Sequence, residues 1–350
     1  TFTAFFTALF FTYISAFLFK KMALLLKIVD VPNRKKIHKN PVPLLGGLSI
    51  YVGAITAFYF FPYGFLSVMP VFASATIILY MGVYDDIKGL SAKLRLVIQI
   101  LLAVFVIYSG IRVSFLPNNI WGDIGEYLVT IIWIVGITNA FNYLDGLDGL
   151  ATGSAALNFF CFFVVLYNMG QFPLGLAIAI LAGACLGFLP HNFINQKRMF
   201  LGDAGSTFLG FMLACIAIQG DWASDGIVKL AIPVLILGVP IFDMIFTTIM
   251  RIKEGKVRNI FEWLKYGGKD HFHHYLVDLG LKQQGAVLFI YYITFSLGLS
   301  AYIVSNDTAV EGVLTVVHSS MIFGVIGVLI VLGKKYHKRH ELHLSGKGIK

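Results

Sequence analysis

Long apolar stretches recur along the whole chain, and they restrict the fold more than any other feature. A membrane-crossing helix needs about 20 mostly apolar residues, and charged or Pro/Gly-rich interruptions divide this sequence into segments of that kind. Only 13% of the 350 residues are charged and 58% are hydrophobic, too little polar surface for a soluble globular protein. We therefore predict an all-α integral membrane protein. Its eleven expected transmembrane segments lie at approximately 2–26, 44–61, 66–84, 94–113, 126–141, 149–168, 171–190, 205–220, 227–250, 285–304 and 310–333.

The positions of the basic residues predict how these segments are oriented. With eleven segments, the loops after the odd-numbered ones share a side with the C-terminus, and 25 of the 27 Lys and Arg lie there. By the positive-inside rule this side is cytoplasmic, so the N-terminus is outside. We expect one membrane domain over 1–333 with a retained first helix, and a basic cytoplasmic tail over 334–350. This distribution accounts for the net charge of +9 without a nucleic-acid partner.

Acidic residues collect where predicted spans meet the cytoplasmic side. The segment MGVYDDIKGLSAKLR places Asp85 and Asp86 at the end of the third span, where an unpaired buried charge is costly. A bound divalent cation would offset that cost, and a solvated turn is an equally good interpretation of this pair alone. The segment RMFLGDAGST places Asp203 among small residues at a helix start, a position that suits phosphate. Since Mg²⁺ combines a few carboxylates with phosphate oxygens, Asp203 is a candidate metal ligand.

Two further segments have polar side chains with little reason to be solubilising. In NAFNYLDGLDGLATG, the residues Asn139, Asn142, Asp145 and Asp148 recur at every third position, so they would line one helix face or a glycine-containing turn. KDHFHHYL contains His271, His273 and His274. A zinc site would need an HExxH motif or a cysteine partner, and both are missing from this segment, so contact with phosphate is the better interpretation.

Together these segments predict phosphoryl transfer. Carboxylates for a metal, a glycine-rich loop and basic groups on one membrane face can position and neutralise phosphates. One substrate would be a phosphorylated metabolite and the other a lipid. A transporter is the alternative from another class, but it would place ionisable groups near the middle of the bilayer. Asp243, within the ninth span, is the one candidate acid that does so.

The motifs RKKIHKNPVPLLGG, GVYDD, NAFNYLDGLDGLATG, HNFINQKRMFLGDAGS, PIFDMIFTTIMR and KDHFHHYL occur in this order along the chain. In sequence and order they resemble those of the polyprenyl-phosphate N-acetylhexosamine-1-phosphate transferase family. The resemblance covers almost the whole chain. The RKKIH and HFHH forms are more similar to the WecA and TagO branch than to the MraY branch.

The resemblance implies an activity. A family member transfers N-acetylhexosamine 1-phosphate, here expected to be GlcNAc 1-phosphate, from a UDP-sugar to undecaprenyl phosphate and releases UMP. The reaction requires Mg²⁺, with Mn²⁺ as an alternative, and begins cell-envelope polysaccharide synthesis, such as that of lipopolysaccharide or teichoic acid, at the plasma membrane. An MraY-type transfer of phospho-MurNAc-pentapeptide is the other reading within the family. The pathway, the formation of a homodimer and the choice between direct attack and a phosphoryl-enzyme intermediate stay open.

The resemblance also implies residue roles. Asp85 and Asp86 would be the catalytic acidic pair near the lipid phosphate, and Asp203 with Asp86 would hold the metal. The expected substrate-binding residues are Lys39, Asn142, Asp145, Asp148, Asn192, Phe200, His271, His273 and His274. The spacing to Asp203 leaves open whether Asn192 or Asn195 supplies the amide.

Overall fold

A computed structural model describes residues 1–32, 40–194, 198–259, 262–263, 266, 268, 270–306 and 308–344, with side chains at all of these except 194 and 334–344. The described part of the chain is mainly helical. Its α-helices are α1 (Phe2–Leu25), α2 (Gly46–Phe60), α3 (Pro62–Lys88), α4 (Ala92–Tyr108), α5 (Ile120–Leu144), α6 (Leu150–Asn168), α7 (Phe172–Leu189), α8 (Gly202–Gln219), α9 (Gly226–Ile236), α10 (Gly238–Lys253), α11 (Phe272–Asp278), α12 (Gln283–Val304) and α13 (Ala309–Leu344). A short π-helix, Pro190–Ile194, extends α7.

The helix lengths confirm a multi-pass membrane protein with fewer clear spans than the sequence predicts. Within the described ranges, eight helices are long and apolar enough to cross a membrane, and α9 with α10 would make a ninth. That pair bends by 73°. The predicted spans at 44–61 and 94–113 correspond to α2 and α4, which have only 15 and 17 residues. The total of eleven and the tail boundary at 334 remain predictions, and α13 continues through that boundary to Leu344.

Helix α8 is the centre of the bundle. Nearly all of its side chains are buried, and it packs against α3, α5, α2 and α6. Two glycines let its neighbours come close. A Cβ on Gly82 of α3 would lie 2.3 Å from the Ala204 Cα, and one on Gly210 of α8 would lie 2.8 Å from the Phe141 Cβ. Both contacts are too short for any side chain, so these helices meet backbone to backbone.

The loops at one end of the bundle are tied to the start of α8. Strands β1 (Val29–Asp30) and β2 (Val42–Pro43) form a small antiparallel ribbon. Beyond it, the Phe200 N–H donates to the Pro43 carbonyl, and the Gly46 and Gly47 N–H groups donate to the Phe200 and Leu201 carbonyls. The segment before α2 is thereby paired with the segment before α8. We call this end of the molecule the loop end.

Candidate active site

A polar cavity of about 500 Å³ opens at the loop end. Nine of the twelve residues that the sequence indicated line it: Asp85, Asp86, Asn142, Asp145, Asp148, Asn192, Phe200, Asp203 and His274. Of the others, His271 and His273 are buried outside this lining, and Lys39 lies outside the described residues. Side chains separated by more than 180 positions in sequence therefore share one cavity.

Asp86 joins the end of α3 to the start of α8. Its two carboxylate oxygens accept the N–H groups of Asp203 and Ala204, at 2.9 and 3.2 Å. These amides are free donors of the first helical turn, where the helix dipole favours negative charge. Gly202, with φ of +76°, leaves room for the carboxylate, since a Cβ there would lie 2.6 Å from it. The sequence predicted phosphate at this helix start, whereas the structure places Asp86 there.

Arg95 connects Asp85 and Asp203, the two other acids near the start of α8. Its Nη1 donates to Asp85 Oδ2 at 2.8 Å and to Asp203 Oδ2 at 3.4 Å. The second oxygen of Asp85 accepts the Leu90 N–H, and its side chain is only 8% exposed, against 41% for Asp203. Asp85 is therefore held on both sides, while Asp203 has a carboxylate that a ligand can reach.

Asn142 fixes Asp203 from the side of α5. Its Nδ2 donates to Asp203 Oδ1 at 2.9 Å and to the Ser206 hydroxyl at 3.0 Å. The hydroxyl of Ser206 in turn donates to the Gly202 carbonyl. The predicted amide of the NAFNYLDG motif thus orients the predicted metal ligand.

Asp145 and Asp148 lie in the loop between α5 and α6, which we call the α5–α6 loop (residues 145–149). Burial, together with the nearby charges of Asp203 and Asp86, raises the pKa of Asp145 to about 8. Asp148 instead has a cationic partner, since it accepts a hydrogen bond from Arg198. The Arg198 guanidinium also lies over the Phe200 ring, 5.8 Å from its centroid.

Asn192 holds the α5–α6 loop from the π-helix. Its Oδ1 accepts the Gly149 N–H at 2.9 Å and the Thr152 hydroxyl at 3.2 Å, and its Nδ2 donates to the Met199 carbonyl. The amide thus links two loops of the site to each other. Asn195, the alternative from the sequence, lies outside the described residues.

The structure gives the three histidines different surroundings. Arg251 Nη2 lies 3.1 Å from His271 Nε2, and a guanidinium can only donate, so His271 carries its proton on Nδ1. That Nδ1 donates to Asp243 Oδ2 at 2.8 Å. Asp243 therefore belongs to a buried network at the loop end, and it also accepts the Phe272 N–H. Both nitrogens of His271 are occupied by protein groups.

His273 is fully buried, and burial lowers its pKa to about 3, so its ring is neutral. Its Nε2 lies against Gly146, where a Cβ would approach it to 2.1 Å. His274 is the histidine that lines the cavity. The sequence predicted that all three histidines contact phosphate. The position of His274 in the cavity lining is compatible with that role, whereas His271 and His273 are buried against the loops of the site.

The donor set suits a magnesium ion shared with substrate. Among the described residues, no three His, Cys, Asp or Glu side chains form a ready metal cluster. Mg²⁺ is commonly held by one or two carboxylates, with phosphate oxygens and water completing its shell. Asp203 presents an accessible carboxylate in that manner, whereas Asp86 already uses both oxygens on backbone amides.

Arg95, Arg198, Asp30 and Gln283 contribute to the site without having been predicted. A signal existed for Arg95. Only Gly89, Leu90 and Ser91 separate α3 from α4, and the Ser91 hydroxyl accepts the Leu94 N–H as a helix N-cap. Such a short connection must return Arg95 to the neighbourhood of Asp85. For Arg198 the sequence offered only a basic residue in a long loop.

The chain is similar in sequence to several known proteins. Residues 68–221 match the model of a family described as Glycosyl transferase family 4. The chain is 34% identical to the probable undecaprenyl-phosphate N-acetylglucosaminyl 1-phosphate transferase of Bacillus subtilis (strain 168), over 83% of this chain and 80% of that protein. It is 31% identical to the decaprenyl-phosphate N-acetylglucosaminephosphotransferase of Mycobacterium tuberculosis (strain ATCC 25618 / H37Rv), over 87% and 83%. It is 27% identical to the undecaprenyl-phosphate alpha-N-acetylglucosaminyl 1-phosphate transferase of Escherichia coli (strain K12), over 80% and 77%.

The raised pKa of Asp145 predicts a pH dependence of stability. Between an unfolded pKa of about 4 and a folded pKa of about 8, this group is protonated in the folded protein and ionised in the unfolded chain, so folding stability falls as pH rises through that window. Asp145→Asn should flatten the decline in thermal stability measured in EDTA from about pH 5 to about pH 8. The exposed Asp278→Asn serves as control. A slope in Asp145→Asn equal to that of wild type would contradict the prediction.

Proposed function

Because the chain belongs to the polyprenyl-phosphate N-acetylhexosamine-1-phosphate transferase family, whose members transfer a sugar 1-phosphate to a polyprenyl phosphate, we propose that it transfers GlcNAc 1-phosphate from UDP-GlcNAc to undecaprenyl phosphate. The observation that carries the proposal is the cavity at the loop end. It combines Asp85, Asp145 and Asp203 with Arg95 and Arg198 at the end of an apolar helix bundle. A lipid phosphate and a soluble nucleotide can meet only at such a boundary.

The proposed reaction is a single displacement. An oxygen of the lipid phosphate forms a bond to the β-phosphorus of UDP-GlcNAc, the bond from that phosphorus to the bridging oxygen breaks, and UMP leaves with the electron pair. A phosphate monoester has a second pKa of about 6, so near neutral pH it is mostly dianionic and needs no strong base. Asp85 is a poor nucleophile for a phosphoryl-enzyme intermediate, since Leu90 and Arg95 engage both of its oxygens.

Asp203 would hold Mg²⁺ on the diphosphate, with Asn142 fixing its carboxylate. A bound Mg²⁺ supplies neutralisation of the charge that develops on the phosphates. The ion pairs of Arg95 with Asp85 and Asp203 place a guanidinium beside the same corner. We assign this guanidinium to the phosphate of the lipid and Asp85 to the positioning of Arg95.

The nucleotide would lie against the α5–α6 loop. Asp145, Asp148, Phe200 and Asn192 line this part of the cavity with His274. Phe200 offers an aromatic face for a planar base, and the carboxylates can accept hydrogen bonds from its N–H or from ribose hydroxyls. Lys39 remains a proposed contact from outside the described residues.

The activity can be tested directly with purified protein. We expect UMP release from UDP-GlcNAc in the presence of Mg²⁺ and undecaprenyl phosphate, and none from UDP-MurNAc-pentapeptide. Asp203→Asn should lower the rate by a factor on the order of a hundred or more, because it removes a ligand of the metal that stabilises the transition state. The exposed Asp278→Asn is the matched control and should retain the wild-type rate. Wild-type activity in EDTA, or in Asp203→Asn, would refute the metal assignment.

Asp85→Asn tests the assignment of the Asp85–Arg95 pair to the lipid phosphate. The substitution should lower turnover strongly, because it replaces the carboxylate nearest to the Arg95 guanidinium with an amide and so weakens the orientation of Arg95. The affinity for UDP-GlcNAc, measured by calorimetry without lipid, should remain that of wild type. A large loss of nucleotide affinity would instead assign Asp85 to the nucleotide pocket.

We further propose that the loop end faces the cytoplasm at the plasma membrane, as the distribution of Lys and Arg indicates. Residue 278 lies near the loop end, and residue 118 precedes α5 at the opposite end. After replacement of Cys161, Cys185 and Cys215, an impermeant thiol reagent should label Asn118→Cys in intact cells. It should label Asp278→Cys only after lysis. The reverse pattern would overturn the orientation.

A further inference from the structure

The α5–α6 loop is anchored at its last residue by two elements that are far apart in sequence, the π-helix and α12. Asn192 accepts the Gly149 N–H, and the Phe193 ring packs so closely that a Cβ on Gly149 would lie 2.7 Å from it. From α12, the Tyr291 hydroxyl donates to the Gly149 carbonyl at 2.6 Å. Gly149 has φ of +79°, a conformation that glycine adopts without strain.

We propose that Tyr291 is a positioning residue for the nucleotide, acting through Gly149 on Asp148 and Asp145; the proposal rests on the proposed function. The Gly149 carbonyl accepts two hydrogen bonds. One comes from the Gly153 N–H within α6 and moves with the loop. The other comes from Tyr291, and it is the bond that ties this carbonyl to a separate helix.

A glycine at position 153 leaves space for the Tyr291 hydroxyl. A Cβ on Gly153 would lie 1.8 Å from the Tyr291 Oη, so only glycine at 153 lets the ring reach Gly149. The ring also forms part of an apolar groove of about 950 Å³ between α1, α6, α7 and α12. Water has few polar partners there, so it is a poor substitute for the missing hydroxyl in a phenylalanine variant.

The consequence falls on the nucleotide rather than on the lipid phosphate. Gly149 directly follows Asp148, whose carboxylate lines the cavity and pairs with Arg198. The Asp85, Arg95 and Asp203 corner is held by hydrogen bonds among α3, α4, α5 and α8, and Tyr291 takes part in none of these bonds. Loss of the hydroxyl should therefore loosen the loop and leave that corner unchanged.

Tyr291→Phe tests this by separating two sets of constants. Loss of one hydrogen bond should raise the Kd of UDP and the KM of UDP-GlcNAc by about three- to tenfold. The kcat and the KM of undecaprenyl phosphate should stay at their wild-type values. Tyr292→Phe is the matched control, because the neighbouring Tyr292 is 71% exposed on the bundle surface. Gly153→Ala, which displaces the ring, should reproduce the nucleotide defect if Tyr291→Phe folds poorly.

Two results would overturn the proposal. One is an unchanged Kd of UDP in both Tyr291→Phe and Gly153→Ala. The other is a parallel loss of kcat, of lipid KM and of thermal stability, which would indicate a general structural role. The UDP titration needs no turnover, so it remains decisive even if wild type releases no UMP. An absence of UMP release by the wild-type protein would refute the proposed function but not the role proposed for Tyr291.

Discussion

The contact between Asp86 and the first turn of α8 is the interaction on which the site depends. It satisfies two backbone N–H donors at the start of a helix that is buried in the centre of the bundle. Because Gly82 and Gly202 have no side chains, α3 and α8 approach closely enough for the contact to form. Its geometry fixes Asp203 relative to Asp85, the residue before Asp86. Asp85 on α3 and Asp203 on α8 are thereby held close to each other before any ligand binds.

The charge balance around this contact explains the chemistry that the cavity can support. Arg95 compensates Asp85 and part of Asp203, and Arg198 compensates Asp148. Among the described residues, the main charged neighbours of Asp145 are Asp203 and Asp86, and with burial they raise its pKa to about 8. Asp145 is therefore mostly uncharged near neutral pH, whereas the more exposed carboxylate of Asp203 is accessible to a divalent cation.

The residues that support the cavity lining make hydrogen bonds and packing contacts as well defined as those of the lining residues. His271, Asp243 and Arg251 form a buried chain in which every histidine nitrogen has a protein partner. His273 fills the space beneath Gly146, while Asn192 and Tyr291 hold Gly149. These groups restrict the α5–α6 loop from below and from the side. The sequence motifs thus contain both groups that line the cavity and groups that orient them.

The sequence by itself determined the all-α, multi-pass membrane class and selected most of the acidic residues that line the cavity. Apolar segments of membrane length allow only helices, and the acids at their ends require partners, so Asp85, Asp145, Asp148 and Asp203 could be selected from their positions alone. Tertiary structure decided which of them meet and which atoms stay available. Asp86 and His271 belong to motifs as conspicuous as that of Asp203, yet their polar atoms are used by a helix start and by an arginine. The roles of Arg198 and Tyr291 depend on loops and helices that approach each other only in the folded bundle, and local sequence contains no information on such distances.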